Sequence, residues 1–325
     1  MPEFSEPEIQ ESHKPRSKDV SYDLERALSS VVSIRTKIPE DAFTASILGT
    51  ERAGNGVIID ETGLILTIGY LITEAETVWI MGADGRACPG HIVAYDQETG
   101  FGLVQALENM GLPALPIGSS GDIRVGESVV IAGYGGREHA CKAQIVAKRE
   151  FAGYWEYVLD EAIFTAPAHP SWGGAALIDA DGRLAGIGSL FVQLPRGEDK
   201  PLDGNMIVPI DILIPIMNQL MKFGKVDRPP RPWLGMYTAE AEDELVVVGL
   251  AEDGPAYDAG VEIGDRVLEV NGEPVITLVD MFRQIWRVGD AGVQVPLTVW
   301  RDDGAISLGV PSIDRTSLLK KPQLH

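Results

Sequence analysis

The chain has 325 residues, enough for two or three domains that each bury a core. Its 45% hydrophobic and 23% charged residues are ordinary for a globular protein and exclude a disordered one. With 48 acidic against 27 basic residues the net charge is −21, which repels phosphate backbones and anionic lipid. Nucleic acid and membrane surfaces are therefore not expected as partners, and basic or neutral peptides are favoured.

Residues 1–20 are rich in Pro, Glu, Ser and Lys and lack apolar periodicity, which predicts a flexible N-terminal arm. The opening Met1-Pro2-Glu3-Phe4 has neither a basic n-region nor an apolar h-region. No run approaches the ~18 apolar residues that a spanning helix needs. The expected location is cytoplasmic. From Leu24 onward the chain breaks into short β-rich runs punctuated by Gly and Asp, such as Ser30–Ile34, Gly56–Ile59, Thr77–Ile80, Ser128–Ala132 and Leu184–Ile187. Many short strands at near-regular spacing predict a mainly β fold, a sandwich or a barrel. The two cysteines, Cys88 and Cys141, read as free thiols, since there is no CxxC and no Cys/His cluster. His91, His139 and His169 lack metal-ligand spacing on one element, and no metal or cofactor is expected.

From Pro209 to Phe223 the apolar period lengthens: Ile210, Leu213, Ile214, Met217, Leu220 and Met221 recur at three- and four-residue steps. This predicts an amphipathic helix, with Asp211 as N-cap and Gly224 just past its end. Residues 225–231, basic and Pro-rich, predict an extended linker. A second run at helical spacing, Leu278 to Val288, places Leu278, Met281, Phe282 and Ile285 on one face, with Gly289 closing it. Packing in a core is the simplest role for that face. After Pro311 the sequence turns polar and basic.

Several stretches resemble the HtrA/Deg family of trypsin-like serine proteases with a C-terminal PDZ domain. Gly54-Asn55-Gly56 through Thr67-Ile68-Gly69-Tyr70 resembles the segment ending in the family's catalytic histidine. Asp96 to Val104 resembles the segment carrying its aspartate, and Pro170-Ser171-Trp172-Gly173-Gly174-Ala175-Ala176-Leu177 falls on the nucleophile motif. The three catalytic positions are then Tyr70, Gly100 and Gly173, with no catalytic residue left among them. Acyl transfer needs a nucleophile, a base within reach and a group that orients the base. Glycine supplies none of these, and a phenol titrating near ~10 is a poor base at neutral pH.

The resemblance implies two six-stranded barrels over residues 21–224, followed by the helix, the linker, an α+β PDZ domain at 232–313 and a tail at 314–325. It implies a vestigial oxyanion loop at Ser171, Trp172 and Gly173. Trp172 reads equally as a packing residue or an aromatic anchor, and together with Tyr70 it is expected to fill the cleft between the barrels. In the PDZ domain, Gly254 to Gly272 carries the most specific match, with glycines and Asn271 at fixed offsets. Trp233-Leu234-Gly235-Met236 falls where such domains hold a peptide's terminal carboxylate, and Met281, Phe282 and Ile285 fall on the helix lining the groove. Arg231, just before the loop, is expected to add attraction for that carboxylate.

The function expected is a catalytically inactive HtrA-like homologue that binds protein or peptide C-termini as an adaptor or scaffold. The alternatives are an active serine endopeptidase of protein quality control and a holdase-like chaperone. Family members commonly assemble as trimers through the N-terminal part of the protease domain. With Phe4 the sole aromatic before residue 21, the sequence leaves trimerisation open.

Overall fold

The computed structural model describes residues 8–196, 199–241 and 244–320. The chain divides into two compact units. One is built on Met1–Arg149 and Glu161–Val226 with the chain end from Lys320, the other on Glu150–Asp160 and Asp227–Leu319. The main division, Val226/Asp227, lies inside the Pro-rich 225–231 stretch.

The short apolar runs pair into two closed antiparallel barrels, carried by the first unit apart from residues Glu150–Asp160, in the order β1-β2-β3-β6-β5-β4 and β10-β11-β12-β9-β8-β7. The first barrel comprises β1 Val31–Lys37, β2 Glu51–Ile58, β3 Leu64–Ile68, β4 Thr77–Met81, β5 Ala87–Tyr95 and β6 Phe101–Ala106. The second comprises β7 Ser128–Ala132, β8 Ala140–Gly153, β9 Tyr157–Ala166, β10 Ala176–Ile178, β11 Leu184–Arg196 and β12 Asp199–Pro209. Closure leaves no sheet edge unpaired. β3 is buried along its whole length, and its neighbours Phe101 and Leu103 on β6 are fully buried too. The core of the second barrel gathers Val129, Ile131, Ile163, Leu177 and Ile207. Cys88 on β5 and Cys141 on β8 are buried free thiols, one per barrel.

Three sequence expectations need correction here. The described part of the arm, residues 8–20, is held against the second barrel: Lys14 pairs with Glu138, Arg137 with Glu11, and Lys142 with Asp19 at 3.2 Å. Residues 1–7 and 321–325 lie outside the described residues. The amphipathic helix is interrupted, giving a single 3₁₀ turn at Ile210–Ile212 and a helix only at Met217–Phe223. Pro215 is the cause, because it has no N–H to donate to residue 211 and its ring crowds the preceding turn. Asp211 accordingly caps a different loop, accepting from Ser120 N at 3.0 Å and Gly121 N at 2.8 Å. Gly224 does end the helix, at φ +69°. The tail begins later than expected, since Asp314 caps a 3₁₀ turn at Arg315–Leu318 that belongs to the second unit.

The second unit is a sheet in the order β13-β14-β15-β17-β18, with β16 paired to β15. Its strands are β13 Met236–Ala241, β14 Glu244–Leu250, β15 Arg266–Val270, β16 Glu273–Pro274, β17 Gln294–Arg301 and β18 Gly304–Pro311. β13 forms one end of this sheet. The helix Leu278–Arg287 starts at Thr277, whose hydroxyl accepts from Asp280 N at 3.1 Å. Met281, Phe282 and Ile285 sink into a core with Leu234, Val247 and Val295.

Candidate functional site

β3 feeds directly into the 3₁₀ turn Gly69–Leu71, which carries Tyr70. Arg52, almost fully buried, braces this turn. It donates to the carbonyls of Tyr70 at 2.7 Å and Thr73 at 3.1 Å, and to Thr44 Oγ1 at 2.7 Å. The buried carboxylate of Glu74 closes the network by accepting from Thr44 N at 2.7 Å and Phe43 N at 3.0 Å. The backbone under Tyr70 is therefore held by charge-assisted bonds.

The phenol of Tyr70 points away from water and donates to Ser189 O at 3.0 Å. Burial pushes its pKa well above the usual tyrosine range, so it stays neutral. A Cβ placed on Gly173 would lie 2.7 Å from the Tyr70 hydroxyl. Gly100 sits beside the same turn, its carbonyl accepting from Gly69 N at 2.7 Å. The structure thus brings positions 70, 100 and 173 together. Gly100 is at φ +80°, a conformation in which a side chain is strained.

The loop at 171–174 is fixed by a side chain that no local sequence pattern marks. Asn55 Nδ2 donates to Ser171 O at 2.8 Å and Gly173 O at 3.0 Å, its main-chain N donates to Gly173 O at 2.8 Å, and its Oδ1 accepts from Tyr134 N at 2.8 Å. Nothing short of tertiary structure reveals this, because Asn55 lies on β2 and the loop it holds is more than a hundred residues away. His169, fully buried, accepts from Ser171 N at Nδ1, 3.1 Å. Nε2 is then the protonated nitrogen and donates to His139 O at 2.9 Å. The Ser171 amide, expected in a vestigial oxyanion loop, is therefore directed at an imidazole. Trp172 is half-buried and packs on Phe191, ring centroids 5.8 Å apart, so its ring has a packing partner at the surface of the second barrel.

In the second unit Trp233, Leu234 and Met236 are buried, and Trp233 pairs its backbone with Ile313. A Cβ on Gly235 would lie 2.9 Å from the Trp233 ring and 3.2 Å from Ala251 Cβ, so the space there is already filled by this loop's own neighbours. Arg231 stacks on the Trp286 ring, 4.1 Å from its centroid. The loop amides have a partner that the local sequence does not reveal. Glu156 Oε1 accepts from Leu234 N at 3.2 Å and from Gly235 N at 3.1 Å.

Comparison with known proteins agrees with this division of the chain. Residues 54–187 match the trypsin-like peptidase domain family and residues 232–311 match the PDZ domain family. The chain is 28% identical over 275 residues to a probable periplasmic serine endoprotease, DegP-like, of Pseudomonas putida (strain W619), covering 79% of this chain and 55% of the relative. It therefore spans about half the length of the DegP-like relatives it matches. It is 26% identical over 310 residues to the serine endoprotease DegS of Escherichia coli (strain K12), covering 89% of this chain and 85% of the relative. Among solved structures, the HtrA-type protease AlgW with tripeptide superposes with a TM-score of 0.51 at 21% identity, covering 92% of this chain and 97% of the other. The serine endoprotease from Yersinia pestis gives 0.51 at 23% identity over 90% and 96%. At these identities the superpositions establish the fold.

The class is thus defined: a trypsin-like peptidase domain followed by a PDZ domain. More particularly, this is the architecture of the HtrA/Deg serine endoproteases, and the chain is similar to them over both domains. The cytoplasmic location expected from the polar N-terminus is corrected by the DegP-like relatives, whose names as probable periplasmic endoproteases point to the periplasm or cell envelope.

Proposed function

We propose that this HtrA/Deg-like protein is a catalytically inactive protease homologue that recruits peptide or protein C-termini through its PDZ domain. The observation that carries this reading is the Tyr70 hydroxyl, which lies 2.7 Å from where a side chain on Gly173 would begin. The position of the base is filled by a neutral phenol and the position of the nucleophile carries no side chain. Losing members of a catalytic triad costs on the order of 10⁴- to 10⁶-fold in turnover. The half-buried Tyr70 also satisfies its one polar side-chain atom at Ser189, which supports a settled packing role for it.

The second reading is an active serine endopeptidase, and it rests on the names of the relatives, which are serine endoproteases. Incubation with unfolded casein and a fluorophosphonate probe separates the two. The inactive homologue leaves casein intact and takes up no probe. Cleavage above a no-enzyme control, together with labelling at Ser171 or any other serine, would overturn it.

The recruiting role predicts a preference for a free carboxylate. An extended apolar peptide adds as a strand along β13 and directs its terminus to the amides of the Trp233–Met236 loop. Fluorescence anisotropy should give an affinity on the order of micromolar, since a short strand buries little surface beyond its ordering cost. Amidating the peptide's C-terminus should weaken it several-fold or more, and equal affinity for acid and amide would remove this loop from the binding site.

A further inference from the structure

The loop that the PDZ reading assigns to a peptide's carboxylate already holds one. Glu156 sits at the tip of the β8–β9 hairpin, in left-handed backbone at φ +62°, and this tip is part of the same compact unit as the PDZ sheet. Its Oε1 accepts from the two successive amides of Leu234 and Gly235. Two main-chain donors converging on one carboxylate oxygen are the contact expected for a C-terminus in such a loop.

The rest of the tip lies along both sides that a bound peptide would touch. On the strand side, the Tyr154 ring meets Tyr237 of β13 edge-on at 6.1 Å. On the helix side, Arg283 of Leu278–Arg287 pairs with Glu150 at 2.5 Å and with Asp160 at 2.7 Å, one carboxylate from each limb of the hairpin. Ala152 and Val158 pack on the apolar cluster that contains Met281, Phe282 and Ile285.

We propose that Glu156 and its hairpin tip occupy the PDZ carboxylate cradle in cis, so that a C-terminal peptide binds only by displacing them. This rests on the reading of the Trp233–Met236 loop as a carboxylate site, and it adds an internal competitor for that site. The competitor is unusual in being a side chain in the middle of the chain, which mimics a terminus without being one.

The plug is also poised to release. Burial pushes the Glu156 carboxyl up to about 7 from an ordinary value of 4.5, against the lowering effect of the Leu234 and Gly235 amides and of the Arg315 charge. The titratable or charged groups facing it are Arg315 from the turn after β18 and Tyr237 from β13, with Tyr154 of its own hairpin beside Tyr237. Oε2 is buried and meets no hydrogen-bond partner among the described residues. The pKa is higher docked than free, so docking takes up a proton. Docking is strongest below about 4.5 and weakens as pH rises through 7.

Two measurements on the full chain test this. The first is amide exchange by NMR at Leu234 and Gly235. Glu156→Ala should speed exchange at both positions relative to the intact protein, with Glu156→Gln between them, while circular dichroism shows an unchanged fold. Unchanged exchange at both amides would overturn the plug, whatever the peptide results. The second is anisotropy with a fluorescent free-acid decapeptide ending in valine. Affinity should rise roughly tenfold in Glu156→Ala, because the binding-competent fraction is no longer limited by docking. In the intact protein affinity should also rise between about pH 6 and pH 8, and this rise should flatten in Glu156→Ala. Equal affinities and equal pH profiles would likewise overturn the plug. Faster amide exchange with no peptide binding to either protein would leave the plug standing and refute the peptide-recruiting reading alone.

Discussion

Replacing Gly174 by alanine should destabilise the folded double barrel by more than about 4 kcal/mol. Gly174 is at φ +76°, and a Cβ there would stand 1.8 Å from Asn55 O and 2.7 Å from Thr67 Oγ1. Neither neighbour has room to give. Thr67 is fully buried and donates to Asn55 O at 2.6 Å, and the Asn55 side chain is already bound to three backbone groups of the 134 and 171–173 segments. Strained backbone and a backbone clash together exceed the ~4 kcal/mol that marks exceptional single substitutions. That is a large part of the ~5–15 kcal/mol by which domains are stable. Gly126→Ala is the control, at φ +91° with no atom within 4 Å of its Cβ, and should cost only about 1 kcal/mol. Thermal unfolding followed by circular dichroism separates them. A Gly174→Ala protein melting alongside the control would show that the 171–174 loop yields far more easily than its bonding indicates.

Gly173→Ser should create a hydroxyl that does no chemistry. Its Cβ would crowd the Tyr70 hydroxyl at 2.7 Å, so either the phenol leaves Ser189 or the loop shifts, at a cost of about 1–3 kcal/mol for overpacking. The new hydroxyl would face a neutral phenol instead of a base and would remain an unactivated alcohol. Adding Tyr70→His and Gly100→Asp supplies the missing groups on paper, but position 100 is in left-handed backbone and the Ser171 amide stays committed to His169. Fluorophosphonate labelling should be absent in the single variant. In the triple variant it should be slower by orders of magnitude than in a working triad. Labelling of the Gly173→Ser protein at its introduced hydroxyl would mean that a base is present which these positions do not contain.

A mainly β fold was legible in short apolar runs bounded by Gly or Asp, but that pattern left sandwich and barrel open, and the two six-stranded barrels came from the family resemblance. The helical period of Leu278, Met281, Phe282 and Ile285 showed that they share one face, and that face is buried; the groove-lining role of Met281, Phe282 and Ile285 came from the family resemblance, not from the period. What escaped was whatever depends on a distant partner. The composition of residues 8–20 reads as disordered because it cannot show that Glu138, Arg137 and Lys142 wait to pair with Lys14, Glu11 and Asp19. Pro215 was a local signal within the helical periodicity and outweighed it. Glu156 is one acid in the aromatic run Tyr154-Trp155-Glu156-Tyr157, and its meaning comes from two amides nearly eighty residues further on.

The two thiols give the double barrel a built-in clock. Cys88 and Cys141 are 3% and 1% exposed, and burial raises both thiols above their ordinary range, Cys141 to about 11. Neither is reactive while its barrel is closed, because only the exposed thiolate attacks. Modification of Cys88 therefore times the opening of the first barrel, and modification of Cys141 times the second. Each barrel carries its own stopwatch, readable by mass in a protein with no other thiol to confuse the count.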